Sequence, residues 1–532
     1  MAIGSGANEE KRAAFSSPRM SKNAFASFRH WGKRALKGVA FLFGAVLALT
    51  LLAAALVSWT GRRDWARVQA ELAARGEALF LADLIPPSVP EARNFYADPL
   101  WEELADLVDA EENGFPVKRP RLPNGQRQID ALKRPLTAQE RETLRVAFPE
   151  FAVPEDATLM GLVHSTFKAV REKPASDPRR TAEFLLAVTD LAAPTLARLH
   201  ILADRPDAWF PLDASTILDA TMELSNAQMT LVQLLRARMW AEGMLGKGEA
   251  VSRDFFTAQK IPDSLAKEPL LISLLIRLST GQLVLEGLEA GLQAGGWTDG
   301  SLAAVERRLA DANYPAGAAM ALRGERGFGN ALLEDLRKKP DGEMGMLRKY
   351  WSGPGPSAWL AIFGPGDQAV RNVLLQKGID FFEGASTAGL NARTVSAFET
   401  DRKALTESWV NRIRYPVAAM GMPSFENIAK RTATLQDQTA QTRVVCALQR
   451  HHLAHGAYPE TLAALVPAFL PAVPVDVSTL RPLLYRRDGG GFRLWTPGWN
   501  ERDEDGQGDD VLWGAHAPPR AVSGDPPETR YE

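Results

Sequence analysis

His451 and His455 lie four residues apart, and His452 and His455 three apart, in a helix-forming stretch. Either pair would set two imidazoles on one helical face, an arrangement that transition metals accept. No third ligand is spaced to complete such a site, and ordinary surface histidines are the competing reading. Ser165-Thr-Phe-Lys168 and Ser264-Leu-Ala-Lys267 both spell Ser-x-x-Lys. There a lysine one helical turn away can help to activate the serine as a nucleophile. The Lys-Thr-Gly element that supports such a serine is absent, and so short a pattern recurs by chance. Gly243-Met-Leu-Gly246-Lys247-Gly248 lacks the spacing and the hydroxyl of a phosphate-binding loop. No metalloprotease helix, dinucleotide fingerprint or nucleophile elbow is present, so no catalytic or cofactor-binding residue is assigned. Lys118-Arg-Pro-Arg121 with Arg127 is basic but short and reads as solvated charge. Cys446 is the single cysteine. This excludes an intramolecular disulfide framework and a thiolate-rich zinc site. Its neighbours Val444, Val445 and Leu448 mark it as a small core residue.

These groups hang from an anchor. Residues 38–59 carry no charge and only Thr50 and Ser58 as hydroxyls. At 1.5 Å per residue they reach about 33 Å, enough for a hydrocarbon core of roughly 30 Å. A cleaved signal peptide has a shorter apolar core, and a buried helix seldom runs 18 residues without a polar break. The reading is an uncleaved, single-pass signal anchor, with Trp31 and Trp59 suited to the two interfaces. Lys22, Arg29, Lys33, Arg34 and Lys37 precede it. Arg62, Arg63, Arg67 and Arg75 follow it, offset by Asp64 and Glu71. The balance favours a cytoplasmic N-terminus and a body outside the cytoplasm.

The net charge of −2 gives no electrostatic case for nucleic acid. Residues 1–37 read as a basic cytoplasmic tail, helical at the membrane surface from about Ala24. Residues 60–155 read as a juxtamembrane helix reaching Leu84, a short helix over 100–108, and a Pro- and Arg-rich loop over 113–134. Thr137-Ala-Gln-Glu140 is a capping box that opens the next helix. Residues 156–433 are helical in almost every window. The expected helices include 181–202 with a kink at Pro194, 213–245, 269–292, 301–312, 315–338, 368–383 and 394–412. The fold class expected is mainly α, a helical array or bundle with no fixed repeat. Residues 434–515 change character. A helix over 434–455 is followed by two alternating runs around Asp488-Gly-Gly-Gly491, a hairpin signal, and by a third strand at 511–513. This is a small α+β module, a helix on a short antiparallel sheet. Residues 516–532 read as a disordered tail.

The C-terminal run Cys446-Ala-Leu-Gln-Arg450, then His455-Gly-Ala-Tyr-Pro-Glu460, Leu462, Leu465 and Val466, resembles the globular part of the type II secretion major pseudopilin. So does the later series Pro474-Val-Asp476, Leu483-Leu-Tyr485, Phe492-Arg-Leu-Trp495, Gly498 and the acidic loop ending at Asp509-Asp510. The layout also resembles uncharacterised bacterial membrane-anchored proteins that join a helical region to such a module. The likeness covers residues 434–513. Pseudopilins attach this unit directly to an N-terminal membrane helix behind a short leader. Here some 370 residues intervene, which implies a borrowed fold more than a shared job.

Family pseudopilins bind calcium in the loop between their last strands. The resemblance therefore implies calcium at Asp503, Asp505, Asp509 and Asp510, with Asn500 and Glu504 nearby. Clustered carboxylates could supply the six to eight oxygens calcium wants, although the spacing is not that of an EF-hand. An acidic solvated loop is the alternative. Two functions remain open. One is an extracytoplasmic scaffold in the bacterial inner membrane, with the lipid bilayer and envelope or secretion proteins as partners. The other is an envelope hydrolase whose site lies in the helical region. A cleft with converging polar groups and perturbed carboxylates would favour the second.

Overall fold

The computed structural model describes residues 22–85, 87, 89–105, 107–112, 115–120, 132, 134–172, 177–209, 217–293, 295–338, 356–421 and 424–514. The protein is mainly helical, 70% helix against 5% strand, with one small three-stranded antiparallel sheet. The expected tail at 516–532 and the basic residues Arg121 and Arg127 lie outside the described residues.

Helix α1 (Lys22–Ala74) is unbroken for 53 residues, about 80 Å at 1.5 Å per residue. It takes in the helix expected from about Ala24 but stops ten residues short of the expected end at Leu84. Gly76, at φ 71°, closes it. The Gly76 amide donates to Ala73 and the Glu77 amide to Leu72, both at 3.0 Å. This left-handed glycine ending outweighs the helical spacing of Leu79. Among the described residues, three stretches are long and apolar enough to cross a membrane: Leu36–Ala74, Pro178–Ala203 and Leu271–Leu292. The most apolar window of the first is 0% buried, whereas those of the others are 44% and 61% buried within the body. Phe41, Leu42 and Leu52 show how fully the first faces outward.

After α1 the chain forms α2 (Leu100–Ala105), an antiparallel hairpin of β1 (Leu107–Glu112) and β2 (Phe115–Pro120), and α3 (Ala138–Ala147). The hairpin corrects part of the expected loop. The capping box forms as its spacing predicts. Thr137 accepts the Glu140 amide, and Glu140 reaches back to the Thr137 amide at 2.8 Å. Then come α4 (Leu159–Glu172), α5 (Pro178–Thr189), α6 (Ala193–Ala203), α7 (Ile217–Met244), α8 (Gly248–Leu265), α9 (Leu271–Leu292), α10 (Asp299–Ala310) and α11 (Tyr314–Lys338). The kink expected at Pro194 is a full break. A 3-10 turn, Asp190–Ala192, ends α5, and Pro194 occupies the first turn of α6, where its missing amide is harmless.

The chain continues through α12 (Pro356–Ile362), α13 (Gly364–Glu383), α14 (Ala385–Ala388), α15 (Ala392–Glu407), α16 (Trp409–Arg414), α17 (Pro416–Gly421) and α18 (Phe425–His455). Strands β3 (Leu484–Asp488), β4 (Gly491–Thr496) and β5 (Val511–Leu512) pair in that order, with Tyr485 opposite Leu494. Helix α18 begins at Phe425, nine residues before the expected start. It packs on α9, α10, α11 and α15 as well as on β4 and β5. One apolar core therefore runs from Phe95 through Leu235, Leu285 and Val445 to Leu494. Cys446 lies in it, fully buried.

Candidate functional site

Two polar networks stand out from this core. The first joins α1 to the body. Residues 75–81 leave α1 and pass between α11 and α13. Glu77 accepts hydrogen bonds from Arg323 Nε at 2.9 Å, from Arg323 Nη2 at 2.7 Å, and from Arg326 Nη2. Arg326 is 0% exposed. It also donates to the carbonyl of Ala78 at 3.0 Å and to Gln376. Asn330 donates to the carbonyl of Leu79 at 2.9 Å and bonds both Asn372 and Gln368. Burial alone would raise the Glu77 carboxyl, but the bonds from Arg323 and Arg326 outweigh it and hold the group at about 2. Higher on α1, Ser58 Oγ donates to the carbonyl of Ala361 at 2.8 Å. Gly61 meets the start of α13 so closely that a Cβ there would lie 2.8 Å from the Gly366 amide nitrogen.

The second network sits where α6, α7 and α8 meet. Asp254, 0% exposed, binds His200 Nε2 through Oδ1 at 2.7 Å and accepts from Arg238 Nε through Oδ2 at 3.0 Å. The same guanidinium reaches Glu242 at 3.2 Å and Asp190 at 2.5 Å. Glu242 Oε2 is buried with no hydrogen-bond partner. Burial first, and the charge of Asp254 second, push Glu242 well above the ordinary carboxylate range, against the pull of Arg238. His200 is partly exposed on the wall of a cavity of about 430 Å³, with Arg253, Lys260 and Arg308 around it. Lys260 donates to the carbonyl of Arg205, and burial lowers its pKa. An imidazole oriented by a carboxylate is equipped to move a proton, and the cavity wall is cationic on balance, with Asp204 also in it and Arg308 already paired with Asp263.

The acidic loop folds upon itself. Asp510 Oδ2 accepts the amides of Glu504 at 2.9 Å and Gly506 at 2.7 Å, and Glu504 accepts that of Asp509 at 2.7 Å. Asp503 takes Trp495 Nε1 and the Asp505 amide, both at 3.0 Å, which lower its pKa. Asn500 caps the Arg502 amide at 2.8 Å, and Asp505 pairs with Arg486 at 3.0 Å. Lys430 lies 4.0 Å from Asp509. These oxygens turn toward amides and cations, not toward a shared centre. Asp510 Oδ1 is the exception, buried and without a partner. Among the described residues no three or more His, Cys, Asp or Glu gather as metal ligands.

His451 and His455 do share a face, with rings 4.4 Å apart, but both pack against Phe469. Nδ1 of His451 bonds the carbonyl of Ala457 at 2.9 Å, and His452 stacks near Tyr458. Ser264 is buried, donating to the carbonyl of Ile261 at 2.7 Å and sharing a 3.0 Å bond with the Tyr96 hydroxyl, while Lys267 is exposed. Ser165 bonds the carbonyl of Leu162 at 3.2 Å within its own helix. Residues 243–248 form the end of α7, the turn and the start of α8.

Neither polar network was named by a motif, although each left a mark. Arg326 and Asn330 share a helical stripe with Ala319, Leu322 and Leu333. Asp254 falls among Val251, Ala258 and Ile261, again at helical spacing. A charge on a core-facing stripe needs a buried partner, and the partners Glu77 and His200 lie 249 and 54 positions away. Comparison of the chain with protein-family models, with curated proteins and with solved structures finds no match in any of the three.

Proposed function

We propose that the chain is a single-pass protein of the bacterial inner membrane, spanning it through residues 38–59, with a cytoplasmic N-terminus and a periplasmic body. The body acts as a scaffold for an envelope or secretion assembly. The observation that carries this reading is the clamp around Glu77. A tether that only retained the body would leave it free to tumble. Here Ser58, Gly61, Glu77 and Leu79 are all tied to the body, so the helical surface is held at one height and tilt above the bilayer. The pseudopilin likeness of residues 434–513 belongs to the same proposal, as does calcium at Asn500, Asp503, Glu504, Asp505, Asp509 and Asp510. What supports calcium in the fold is the partnerless Asp510 Oδ1. Millimolar calcium should then raise the melting temperature relative to EDTA, and Asp510→Asn should abolish the rise. An unchanged melting temperature would remove the ion from the account.

Helix α18 is shared between the helical region and the sheet, so deleting the module would cut into the core. A surface substitution tests the scaffold better. The groove between the α10–α11 turn and residues 475–480, about 720 Å³, includes Met320, Phe382 and the half-exposed Val475. Affinity purification from native membranes should recover the same envelope components with the wild-type chain in repeated preparations. Val475→Asp should lose them at an unchanged melting temperature. Recovery of the chain alone from both would refute the scaffold. A second reading, an envelope hydrolase, is favoured by His200 set by Asp254 beside the cationic cavity. It requires turnover of an anionic ester that His200→Ala abolishes.

A further inference from the structure

One cavity has the anchor itself as a wall. It is about 400 Å³, within the roughly 300–1,000 Å³ usual for ligand sites. It runs from Val57 and Gly61 on α1 to Arg67, with Phe363, Val373 and Arg414 opposite. Val57 belongs to the last turn of the apolar segment, and Arg67 stands about 15 Å farther along the helix axis. A headgroup zone is roughly 5–8 Å deep in each leaflet. With residues 38–59 in the bilayer, the cavity opens at the hydrocarbon edge and passes through headgroup depth.

Its chemistry changes along the same axis. Val57 and Phe363 form an apolar end. Farther out, Arg67 is within 3.4 Å of Asp64, and Lys377, one turn beyond Val373, pairs with Asp401. Arg414 rests 5.0 Å from the centre of the Tyr415 ring and, among the described residues, has no ion pair. Exposed elsewhere are residues that favour an interface. Trp59 is 54% exposed with Arg63 over its ring, and Trp409 on α16 is 71% exposed beside Val410. Indole rings and arginines at this level are characteristic of the headgroup boundary.

We propose that this cavity binds one anionic phospholipid from the leaflet on the body's side, with its phosphate against Arg414 and its upper acyl chain along Val57 and Phe363. The site rests on the membrane-spanning reading of residues 38–59. It deepens that reading by making the lipid a wedge between anchor and body. Phosphate is a ligand that a guanidinium takes in two parallel bonds.

The test uses the full chain in nanodiscs of equimolar phosphatidylcholine and phosphatidylglycerol, extracted into mild detergent and weighed by native mass spectrometry. The expected result is one retained phosphatidylglycerol per chain. Arg414→Glu should lower its retention about tenfold, and Val57→Trp, which fills the apolar end, should do the same, both with unchanged melting curves. Equal retention by wild type and both variants, or no preference over phosphatidylcholine, would overturn the proposal. Glycerol 3-phosphate is added as a soluble competitor. Displacement of the lipid by it at comparable concentration would make this a site for a soluble anion and would also overturn the lipid assignment. Release of the chain from native membranes by alkaline carbonate would instead refute the membrane-spanning reading, a separate failure.

Discussion

At the anchor junction Glu77 receives three hydrogen bonds from two guanidinium groups. In the interior, Arg238 alone divides its donors among Asp190, Asp254 and Glu242. Both networks are buried and both link helices distant in sequence. They differ in the ratio of guanidinium groups to buried carboxylates, because Glu383, which Arg323 also bonds, is half-exposed at the rim. That ratio sets the sign of their response to pH. Where two guanidinium groups converge on one buried carboxylate, it is held charged well below its usual range. Where one serves two buried carboxylates, the less compensated of them, Glu242, holds its proton. The first arrangement suits a fixed joint. The second leaves a proton on Glu242, joined to His200 through Arg238 and Asp254.

The largest expected effect would break the joint. Glu77→Ala leaves Arg326 buried and without its carboxylate, and removing one partner of a buried pair costs about 3–5 kcal/mol. Thermal unfolding of the full chain in detergent should show it as a large loss, and spin labels on α1 and α13 should report new motion between anchor and body. Glu242→Ala should cost less, because one of its oxygens is already unbonded. If Glu77→Ala proved the milder of the two, the contrast between the networks would fail.

A pH series sharpens the same contrast. The Glu77 carboxyl falls from 4.5 to about 2 on folding. Its contribution is therefore complete above about pH 4.5 and is lost as pH falls toward 2. Glu242 moves the other way. The folded state binds a proton that the unfolded state releases, so stability declines as pH rises from the ordinary carboxylate range through neutrality. Glu242→Gln, which cannot ionise, should match the wild type near pH 5 and be the more stable of the two at alkaline pH, where only the wild type must bury a charge to stay folded. A constant difference between the two chains at every pH would mean that Glu242 is ionised in the fold.

Much of this architecture was legible locally. The Thr137 capping box, the hairpin around residues 488–491 and most helices of the body follow from spacing and turn chemistry, signals that act within a few residues. The end of α1 departs from the expectation because the apolar spacing continues to Leu79, past the left-handed Gly76 that ends the helix. The two networks were illegible for a different reason. Glu77, Arg323, His200 and Asp254 are ordinary residue types, and only the fold brings them together. The motifs that did attract attention turned out to be packing. Ser264 is buried against Tyr96, and His451 and His455 lie on Phe469. The acidic loop was visible as a cluster of charge, but the pairing of its carboxylates with backbone amides and with Arg486 depends on loop geometry that composition does not carry.

The smallest effect lies at the rim of the clamp and calibrates the rest. Arg75 and Asp380 form an ion pair whose side chains are 48% and 42% exposed, a few residues from Glu77. If proximity to the joint were what mattered, Arg75→Ala would cost nearly as much as Glu77→Ala. If burial is what matters, water already solvates both charges, and the loss should be about 0–1 kcal/mol and should shrink further in molar salt. The loss from Glu77→Ala should be almost insensitive to salt, because ions cannot screen a pair they cannot reach. A salt-sensitive Glu77→Ala would mean that solvent enters between α1 and α11. The clamp would then be an exposed ion-pair cluster, and its difference from the Arg238 network would be one of exposure, not of charge ratio.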